Sequence, residues 1–272
     1  MLNEDAARAD MVRVGQWLHA HEYVDGTAGN LTARLGPDRV LATPSGLPKG
    51  QLTPEQLIII NLRGEVLSAL PGLQPTSEMP MHLEAYRRRP DVNGVVHAHP
   101  ITCVALSIAG VSLAQCVVPE AVVLLGPIPT VPYSTPSSEE NQRAISDVIV
   151  NHDALVLQYH GSLTVGRTLD EAYLRLESLE HTAKIIALTH LLGGGPALPP
   201  EQVTKLIETR KAWGLARPND EANFCVACGV CHAPGGHVSP GAPSPAIWDD
   251  VAVQNEEELV RQIVERVKQR LA

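Results

Sequence analysis

The chain has 272 residues, of which 44% are hydrophobic, and a formal net charge of -9 at pH 7. This length and apolar content are enough for a substantial buried core. The negative charge argues against binding to nucleic acid or to anionic membrane, because both need a surplus of basic residues. The chain has no apolar run long enough to span a membrane and no secretory signal at its start, so we expect a cytoplasmic protein.

The first half of the chain is predicted to alternate between helices and short strands. Apolar residues at helical spacing indicate the helices, and apolar runs that end in glycine-rich turns indicate the strands. Ser77 is a candidate cap for the second helix. The predicted elements are a helix at residues 4–21, strands at 26–34, 40–46 and 57–62, a helix at 77–89 and a strand at 92–98.

The same alternation continues in the second half, where a long amphipathic helix begins at Thr168. The other predicted elements there are a helix at residues 102–109, extended segments at 117–125 and 128–131, a helix at 139–151 and a strand at 154–160. Interleaved strands and helices predict a layered α/β domain.

The composition changes after residue 216. Residues 217–250 are rich in proline and glycine and predict a linker, and residues 251–272 predict a short amphipathic helix that Asn255 can cap. We therefore expect a main domain at residues 1–216, a cysteine-containing linker and a tethered C-terminal helix.

Three histidines form a candidate metal site. His97 and His99 are two residues apart in a predicted strand and so point to the same face, and His160 follows another predicted strand. Three neutral nitrogen ligands leave a coordination position open for a substrate oxygen. A pair of solvated polar residues on a strand is the alternative interpretation of His97 and His99.

Five sequence blocks occur in an order that resembles the class II aldolase/adducin family, and in particular its fuculose-phosphate aldolases. The resemblance covers about residues 5–215 and implies a three-layer α/β/α fold with a central, mostly antiparallel sheet. The blocks are residues 26–34 (GTAGNLTAR), 43–46 (TPSG), 75–78 (PTSE), 95–99 (VVHAH) and 158–161 (QYHG).

The resemblance implies both a cofactor and a reaction. His97, His99 and His160 would hold one Zn2+ per subunit, and Glu78 would neighbour the metal and move the substrate proton. The reaction would be cleavage of a ketose 1-phosphate, L-fuculose 1-phosphate or L-rhamnulose 1-phosphate, to dihydroxyacetone phosphate and lactaldehyde. Glu78 could instead be an acid that favours the start of a helix.

The resemblance also implies a phosphate cradle that uses backbone N–H groups and hydroxyls. Each member taken alone could be an ordinary turn residue. Lys49 lies nearby in the sequence, and we expect it to be solvated. The cradle residues are Gly29, Asn30, Ser45, Gly46, Thr76 and Ser77.

Two positions depart from the family pattern. Val118 stands where fuculose-phosphate aldolases have an acid tyrosine, and Trp213 stands where they have a second tyrosine. Glu120 or Tyr133 could assist the aldehyde oxygen instead, although Glu120 could equally be a surface residue. These departures leave open another family activity, namely a sugar-phosphate 4-epimerase, a dehydratase or a decarboxylase. A non-catalytic, adducin-like binding module is a further alternative.

The cysteines and the tail suggest further partners. The five cysteines are expected to be reduced, and Cys225, Cys228, Cys231 and His232 could hold a second, structural metal. A thiol-rich loop without metal is the alternative, and covalent haem is disfavoured because no export signal is present. Residues 251–272 resemble an encapsulation peptide that docks to shell proteins of a bacterial microcompartment, or else form an oligomerisation helix. The family resemblance implies a homotetramer.

Overall fold

A computed structural model describes residues 3–228 and residue 230. These residues all fall within Met1–Pro240, one of the two units into which the chain divides. The predictions for Cys231, His232 and residues 251–272 lie outside the described residues. No helix in the described part of the chain is long and apolar enough to cross a membrane.

One eight-stranded sheet organises the described chain, in the order β4-β3-β2-β1-β5-β8-β7-β6. Neighbouring strands are antiparallel except for β6 and β7, which are parallel. The predicted mostly antiparallel sheet is therefore confirmed. The strands are β1 (Asn30–Gly36), β2 (Arg39–Ala42), β3 (Ile58–Ile60), β4 (Val66–Ser68), β5 (Gly94–Ala98), β6 (Thr130–Val131), β7 (Ala154–Leu157) and β8 (Gly161–Gly166).

Helices cover both faces of this sheet. The helices are α1 (Glu4–Ala20), α2 (Met79–Arg88), α3 (Ile101–Ile108), α4 (Pro119–Leu124), α5 (Glu139–Ser146), α6 (Leu169–Leu191), α7 (Pro200–Ala212) and α8 (Asp220–Cys228). Residues of α1 and α6 form one apolar cluster with the sheet, and residues of α2 and α5 form another. The predicted three-layer α/β/α arrangement is confirmed.

The strand β3 shows how a continuous apolar run serves both layers. Ile59 packs in the cluster that contains α1, whereas Ile58 and Ile60 pack in the cluster that contains α2. Successive side chains of a strand point to opposite faces, so a strand covered on both faces needs an unbroken apolar sequence.

The prediction of an extended segment at residues 117–125 is wrong. Pro119 opens the helix α4, and Ala121, Val122 and Val123 are buried. An apolar run without alternation fits a buried helix as well as a buried strand, and proline is favoured in the first turn of a helix. Packing against α7, where Val122 contacts Val203 and Ile207 in one cluster, favours the helix.

The prediction of a linker from residue 217 is wrong over residues 220–228, which form α8. Asp220 and Phe224 of this helix are buried. The guanidinium of Arg210, itself buried, donates to Asp220 Oδ2 at 2.7 Å and to the carbonyl oxygen of Val123 at 2.8 Å. These contacts join α8 to the main domain.

The expectation of reduced cysteines is wrong for Cys116 and Cys228, which form a disulfide across 112 positions of sequence. A sulfur in a disulfide is not a thiolate ligand, so the predicted second metal site loses Cys228 as a ligand in this structure. Cys103 is a free, buried cysteine, and burial raises the pKa of its thiol.

A buried carboxylate connects the two helical layers with the segment after α7. Asp153, whose side chain is 1% exposed, accepts from Arg89 at 2.9 Å and from Arg217 at 2.6 Å, and its Oδ2 forms an ion pair with Nη2 of Arg175 at 3.2 Å. Three guanidinium groups around one carboxylate offset its loss of hydration, and the carboxylate keeps them paired in return.

We expect Asp153→Ala to lower the free energy of unfolding by about 3 kcal/mol, because it removes the buried carboxylate that three guanidinium groups share and leaves them only the more exposed Asp91 and Glu171. The matched control is Asp147→Ala, which removes a 96% exposed carboxylate paired with Arg88. The control should cost at most about 1 kcal/mol. Urea denaturation measures both variants, and equal losses would contradict the prediction.

Candidate metal centre and active site

The sheet register positions the first histidine. β5 lies between β1 and β8, with His97 opposite Asn30 on one side and opposite Leu163 on the other. Val95, two residues earlier on the same face, packs in the α2 cluster, so His97 faces the α2 layer. His99 lies just after the strand, where its backbone N–H donates to the carbonyl oxygen of Tyr23 at 2.8 Å.

The three imidazoles converge, as the sequence predicts. His97 and His99 bring their Nε2 atoms within 3.0 Å of each other. One ligand nitrogen from each of His97, His99 and His160 lies within 4.8 Å of the others. His160 reaches this point from the turn between β7 and β8, so two separated segments build one cluster.

Glu78 belongs to this cluster. Its Oε2 lies 3.2 Å from Nε2 of His97, and its Oε1 lies 3.3 Å from Nε2 of His160. Asn30 donates to Oε2 at 2.8 Å. The alternative interpretation, an acid that caps a helix, is not supported, because Glu78 is the N-cap residue of α2 but makes no side-chain capping bond.

The predicted capping role of Ser77 is wrong. The helix begins at Met79, and the hydroxyl of Ser77 accepts from Ser137 Oγ at 2.9 Å. The backbone N–H of Glu78 donates instead to Thr76 Oγ1 at 3.3 Å. The Pro-Thr-Ser-Glu block therefore presents the carboxylate to the histidines.

The protonation states suit metal ligands. Burial lowers the pKa of His99 to about 3 and that of His160 to about 4, so both are neutral near pH 7. Burial raises the pKa of Glu78, but the charge and hydrogen bond of His97 and the hydrogen bond from Asn30 outweigh it and lower the pKa well below its usual range. His97 uses Nδ1 to donate to the carbonyl oxygen of Ser162 at 2.8 Å, which directs its Nε2 to the cluster.

These residues fit a divalent cation. Oε1 of Glu78 and Nδ1 of His160 are buried and have no hydrogen-bond partner among the described residues. Neutral imidazole nitrogen and carboxylate oxygen are common ligands of zinc. Of the cluster, His99 also lines a cavity of about 780 Å³, whose other walls include His19 and Asp25.

Gly161 allows the close approach of the two histidine-bearing segments. A Cβ atom at this position would lie 2.4 Å from the carbonyl oxygen of Ala98, 2.8 Å from His99 Cδ2 and 3.2 Å from His97 Cε1. The first distance is to backbone and cannot be relieved by a side-chain rotation. The glycine after His160 is therefore part of the site.

The loops of the predicted phosphate cradle lie against one another. Ser45 donates its backbone N–H to the carbonyl oxygen of Gln74 at 2.8 Å, and Pro44 pairs with Pro75 in a short bridge. Gly29 and Gly46 have positive φ angles, of 70° and 74°, that favour glycine. Ser45, Gly46 and Ser77 are exposed, whereas Asn30 and Thr76 are buried. Phosphate binding by these residues stays a prediction.

The expectation that Lys49 is solvated is wrong. Lys49 is 2% exposed and donates from Nζ to the carbonyl oxygens of Thr27 at 2.7 Å and of Leu47 at 2.8 Å. It therefore ties together the two loops that carry Gly29 and Gly46. Burial lowers its pKa to about 8. The lysine lies in the Thr43-to-Gly50 segment, and no pattern in the neighbouring sequence predicts that its side chain is buried.

The other predicted catalytic residues lie farther out. Glu120 is exposed in the first turn of α4 and makes no ion pair with the histidine cluster among the described residues. Tyr133 is 56% exposed, and its ring packs edge-on against Tyr159, the residue before His160, at 6.3 Å between centroids. Val118 is buried as the N-cap of α4, and Trp213 is exposed after α7.

The comparisons with known proteins agree with this geometry. The model of the class II aldolase and adducin N-terminal domain matches residues 9–187. The L-fuculose phosphate aldolase of Methanococcus vannielii is 35% identical over 176 residues, which are 65% of this chain and 93% of that protein. The 3-oxo-tetronate 4-phosphate decarboxylase of Escherichia coli K12 is 34% identical over 197 residues, which are 71% of this chain and 90% of that protein.

A solved structure shows the same fold. YgbL from Klebsiella pneumoniae, described as an aldolase/epimerase/decarboxylase, superposes with a TM-score of 0.69 at 31% identity and covers 76% of this chain and 100% of its own. The chain belongs to the class II aldolase/adducin family. Its relatives include proteins named L-fuculose phosphate aldolase and proteins named 3-oxo-tetronate 4-phosphate decarboxylase.

We expect Gly161→Ala to weaken divalent metal binding by about 10- to 100-fold, because the added methyl group pushes apart the segments that carry the ligands. The matched control is Gly36→Ala, where a Cβ atom would meet nothing within 4 Å. Metal titration with a competing chelator measures both affinities. Unchanged affinity in a folded Gly161→Ala protein would refute the role.

Acid should destabilise the metal-free protein partly through His82. This side chain is fully buried, and burial, followed by the charge of His97, lowers its pKa from 6.5 to about 3. Below pH 6.5 the His82 side chain is therefore protonated in the unfolded chain but not in the folded chain. The free energy of unfolding then falls with pH, by at most about 1.4 kcal/mol per pH unit. His82→Gln should show a shallower fall between pH 6.5 and 4 in urea denaturation. If the free energy of unfolding of His82→Gln and of the wild-type protein fell equally with pH, this contribution of His82 would be refuted.

Proposed function

We propose that this chain cleaves a ketose 1-phosphate, L-fuculose 1-phosphate or L-rhamnulose 1-phosphate, to dihydroxyacetone phosphate and lactaldehyde. The observation that carries the proposal is the ionised Glu78 carboxylate, 3.2 and 3.3 Å from two imidazoles of the three-histidine cluster. Family membership supports the same chemistry. A carboxylate beside a cation site is the arrangement needed to move a proton to a carbon that carries developing negative charge.

The proposed metal is one Zn2+ per subunit, held by His97, His99 and His160 with Glu78 adjacent. When bound, a divalent cation would stabilise negative charge on the carbonyl and hydroxyl oxygens of the substrate. Imidazole carries no charge when it binds a cation, so Glu78 would be the one anionic group at the ion, and the remaining positive charge would favour binding of an anionic substrate. The cradle residues and the buried charge of Lys49 would hold the phosphate.

The bond that breaks in this proposal lies between C3 and C4 of the ketose. The C4 hydroxyl loses its proton and becomes the aldehyde, and the electron pair of the broken bond stays on the three-carbon fragment as an enediolate. Glu78 takes up one proton from solvent and delivers it to C3 of the enediolate, which gives dihydroxyacetone phosphate, while the C4 hydroxyl proton is released to solvent through the group that accepts it. Glu120 or Tyr133 would take the C4 hydroxyl proton, since Val118 cannot.

Decarboxylation is a second candidate, and two observations favour it. Relatives named 3-oxo-tetronate 4-phosphate decarboxylase match this chain at 34% identity. Val118 is apolar and buried where fuculose-phosphate aldolases have their acid tyrosine. Loss of CO2 from a 3-oxo-tetronate 4-phosphate produces the same three-carbon enediolate but leaves no aldehyde oxygen to protonate or deprotonate.

The assembly and location also belong to the proposal. A homotetramer is supported by exposed apolar side chains such as Leu191 and Leu192 at the end of α6, which are 83% and 86% exposed in the single chain. Light scattering of the purified protein measures the assembly. Encapsulation in a microcompartment through residues 251–272 rests on the sequence pattern alone.

One substrate panel separates the candidates. The purified, metal-loaded enzyme is assayed with L-fuculose 1-phosphate, L-rhamnulose 1-phosphate and a 3-oxo-tetronate 4-phosphate, and both products are measured. The proposal predicts dihydroxyacetone phosphate together with lactaldehyde. Release of CO2 without aldehyde would establish the decarboxylase instead, and a protein that binds no metal when metal is supplied and acts on no substrate of the panel would favour a binding module.

Glu78→Gln should retain bound metal and abolish turnover, because an amide cannot accept and return the substrate proton. Glu84→Gln, on the same helix, is the matched control, because Glu84 contacts Ser146 and Gln142 and not the cluster. Metal content is determined by elemental analysis and turnover by product release. Wild-type turnover in Glu78→Gln would refute the assignment.

A further inference from the structure

A chain of buried hydrogen bonds leads away from Glu78 between β1 and α2. Asn30 and Thr32 are two residues apart on β1, and His82 and Tyr86 are four residues apart on α2, so each pair shares one face. His82 Nε2 lies 2.5 Å from Asn30 Oδ1, and Thr32 Oγ1 lies 2.9 Å from His82 Nδ1 and 2.9 Å from Tyr86 Oη. We call these four side chains the buried hydrogen-bond chain.

The ionised carboxylate sets the direction of every bond in it. A carboxylate only accepts, so Asn30 must turn its amide nitrogen to Glu78 Oε2 and its oxygen to His82. The amide oxygen also only accepts, so Nε2 of His82 must carry the proton and Nδ1 must be bare. The hydroxyl of Thr32 then donates to Nδ1 and accepts from Tyr86. The reversed Asn30 amide would place two oxygens against each other.

The four side chains carry no charge. His82 and Thr32 are 0% exposed, and Tyr86 and Asn30 are 2% and 3% exposed. Burial lowers the pKa of His82 and raises the pKa of Tyr86, so both stay neutral over the working range of an enzyme. Because the buried hydrogen-bond chain is neutral and fully paired, it avoids the cost of a buried charge. The strand β1 and the helix α2 hold its side chains in place.

We propose that His82 is a positioning residue, which fixes the amide of Asn30 so that it donates to Oε2 of Glu78 and leaves Oε1 directed into the cluster. The inference rests on the proposed role of Glu78 as the proton-transferring group. Thr32 fixes the tautomer of His82, and Tyr86 completes the hydrogen bonds of Thr32. Neither His82 nor Thr32 touches the histidine ligands in this arrangement.

Loss of the donor at His82 should act on catalysis more than on binding. The Asn30 amide would be free to rotate, and in the rotated state its oxygen would repel Oε2 and displace the carboxylate. The three histidines would be unchanged, and within the predicted phosphate cradle only the side-chain amide of Asn30 would move. The expected signature is therefore a lower kcat with little change in KM or in metal content.

The kinetic test uses a graded set of variants. His82→Leu removes the donor and should lower kcat by about 10- to 100-fold. His82→Gln places an amide N–H near the position of Nε2 and should recover most of that loss. Thr32→Val and Tyr86→Phe remove successively more distant bonds and should have successively smaller effects. His152→Leu is the matched control, because His152 is a partly buried histidine that bonds to the carbonyl oxygen of Pro127.

A spectroscopic test is independent of turnover. Nitrogen-15 NMR of labelled histidine distinguishes the two neutral tautomers, and the His82 signals among the 11 histidines are assigned by their absence in His82→Gln. Wild-type protein should show a protonated Nε2 and a bare Nδ1, and Thr32→Val should shift the Nδ1 resonance.

These measurements separate the two proposals. If the wild-type enzyme acts on no substrate of the panel, the proposed function fails. The tautomer of His82 still shows whether the buried hydrogen-bond chain has the donor and acceptor order that the ionised carboxylate requires. The opposite tautomer, or a wild-type kcat in folded His82→Leu, would overturn the positioning role. If His82→Leu does not fold, the test uses the tautomer of His82 in the wild-type protein and the kcat of Thr32→Val and Tyr86→Phe. A wild-type kcat in both of these variants would overturn the positioning role.

Discussion

The site depends on bringing three imidazoles and a carboxylate together in a mostly buried space. The register of one central strand achieves this, because β5 pairs with β1 on one side and with β8 on the other. A shift of one residue in either pairing would turn His97 toward the α1 layer and away from Glu78. The apolar residues that flank His97 in β5 pack into the two layers and so hold this register.

The polar site interrupts an otherwise apolar layer. Most of the surface between α2 and the sheet is formed by residues such as Met81, Val95 and Leu163. At one end of this surface the apolar residues give way to Asn30, Thr32, His82 and Tyr86, which satisfy one another. Because each of these groups is paired, the polar region can be buried without a large penalty, and it can hold a carboxylate in one orientation.

Much of the fold and of the site could be predicted from local patterns. The period of two in a strand placed His97 and His99 on one face. The roles of Glu78 and His160 as their partners came from the resemblance of five ordered blocks to the family, and the structure places both side chains beside His97 or His99. Local patterns gave wrong predictions where the same residues are compatible with two structures, such as a helix and a strand. The run around Val122 suits a helix or a strand, and only contact with Val203 in α7 decides between them. Lys49 follows a proline in a polar segment, and only the two carbonyl oxygens it meets in space explain its burial.

The C-terminal part of the main domain shows the same limit. The segment with Asp220 and Phe224 has little apolar periodicity, so composition alone predicts a linker. Its helix is held by tertiary contacts, above all the buried pair of Asp220 with Arg210 and the disulfide of Cys228 with Cys116. Cys116 lies 112 positions from Cys228, outside any local window, and Arg210 lies on a different helix, so a helical pattern does not reveal its pairing with Asp220.

One departure from the family pattern, Val118, concerns one side of the reaction only. Retro-aldol cleavage and decarboxylation share the three-carbon enediolate, and the groups proposed to act on it, Glu78 with the histidine cluster, are those that match the family blocks. The reactions differ only in the fragment that leaves. In retro-aldol cleavage this fragment is an aldehyde, whose oxygen must exchange a proton. In decarboxylation it is CO2, which needs no proton exchange. Val118 and the exposed Tyr133 concern only that fragment. The residues that match the family are therefore those proposed to act on the enediolate, the nucleophilic fragment, and under this proposal the choice between the two reactions depends on the residues that face the leaving group.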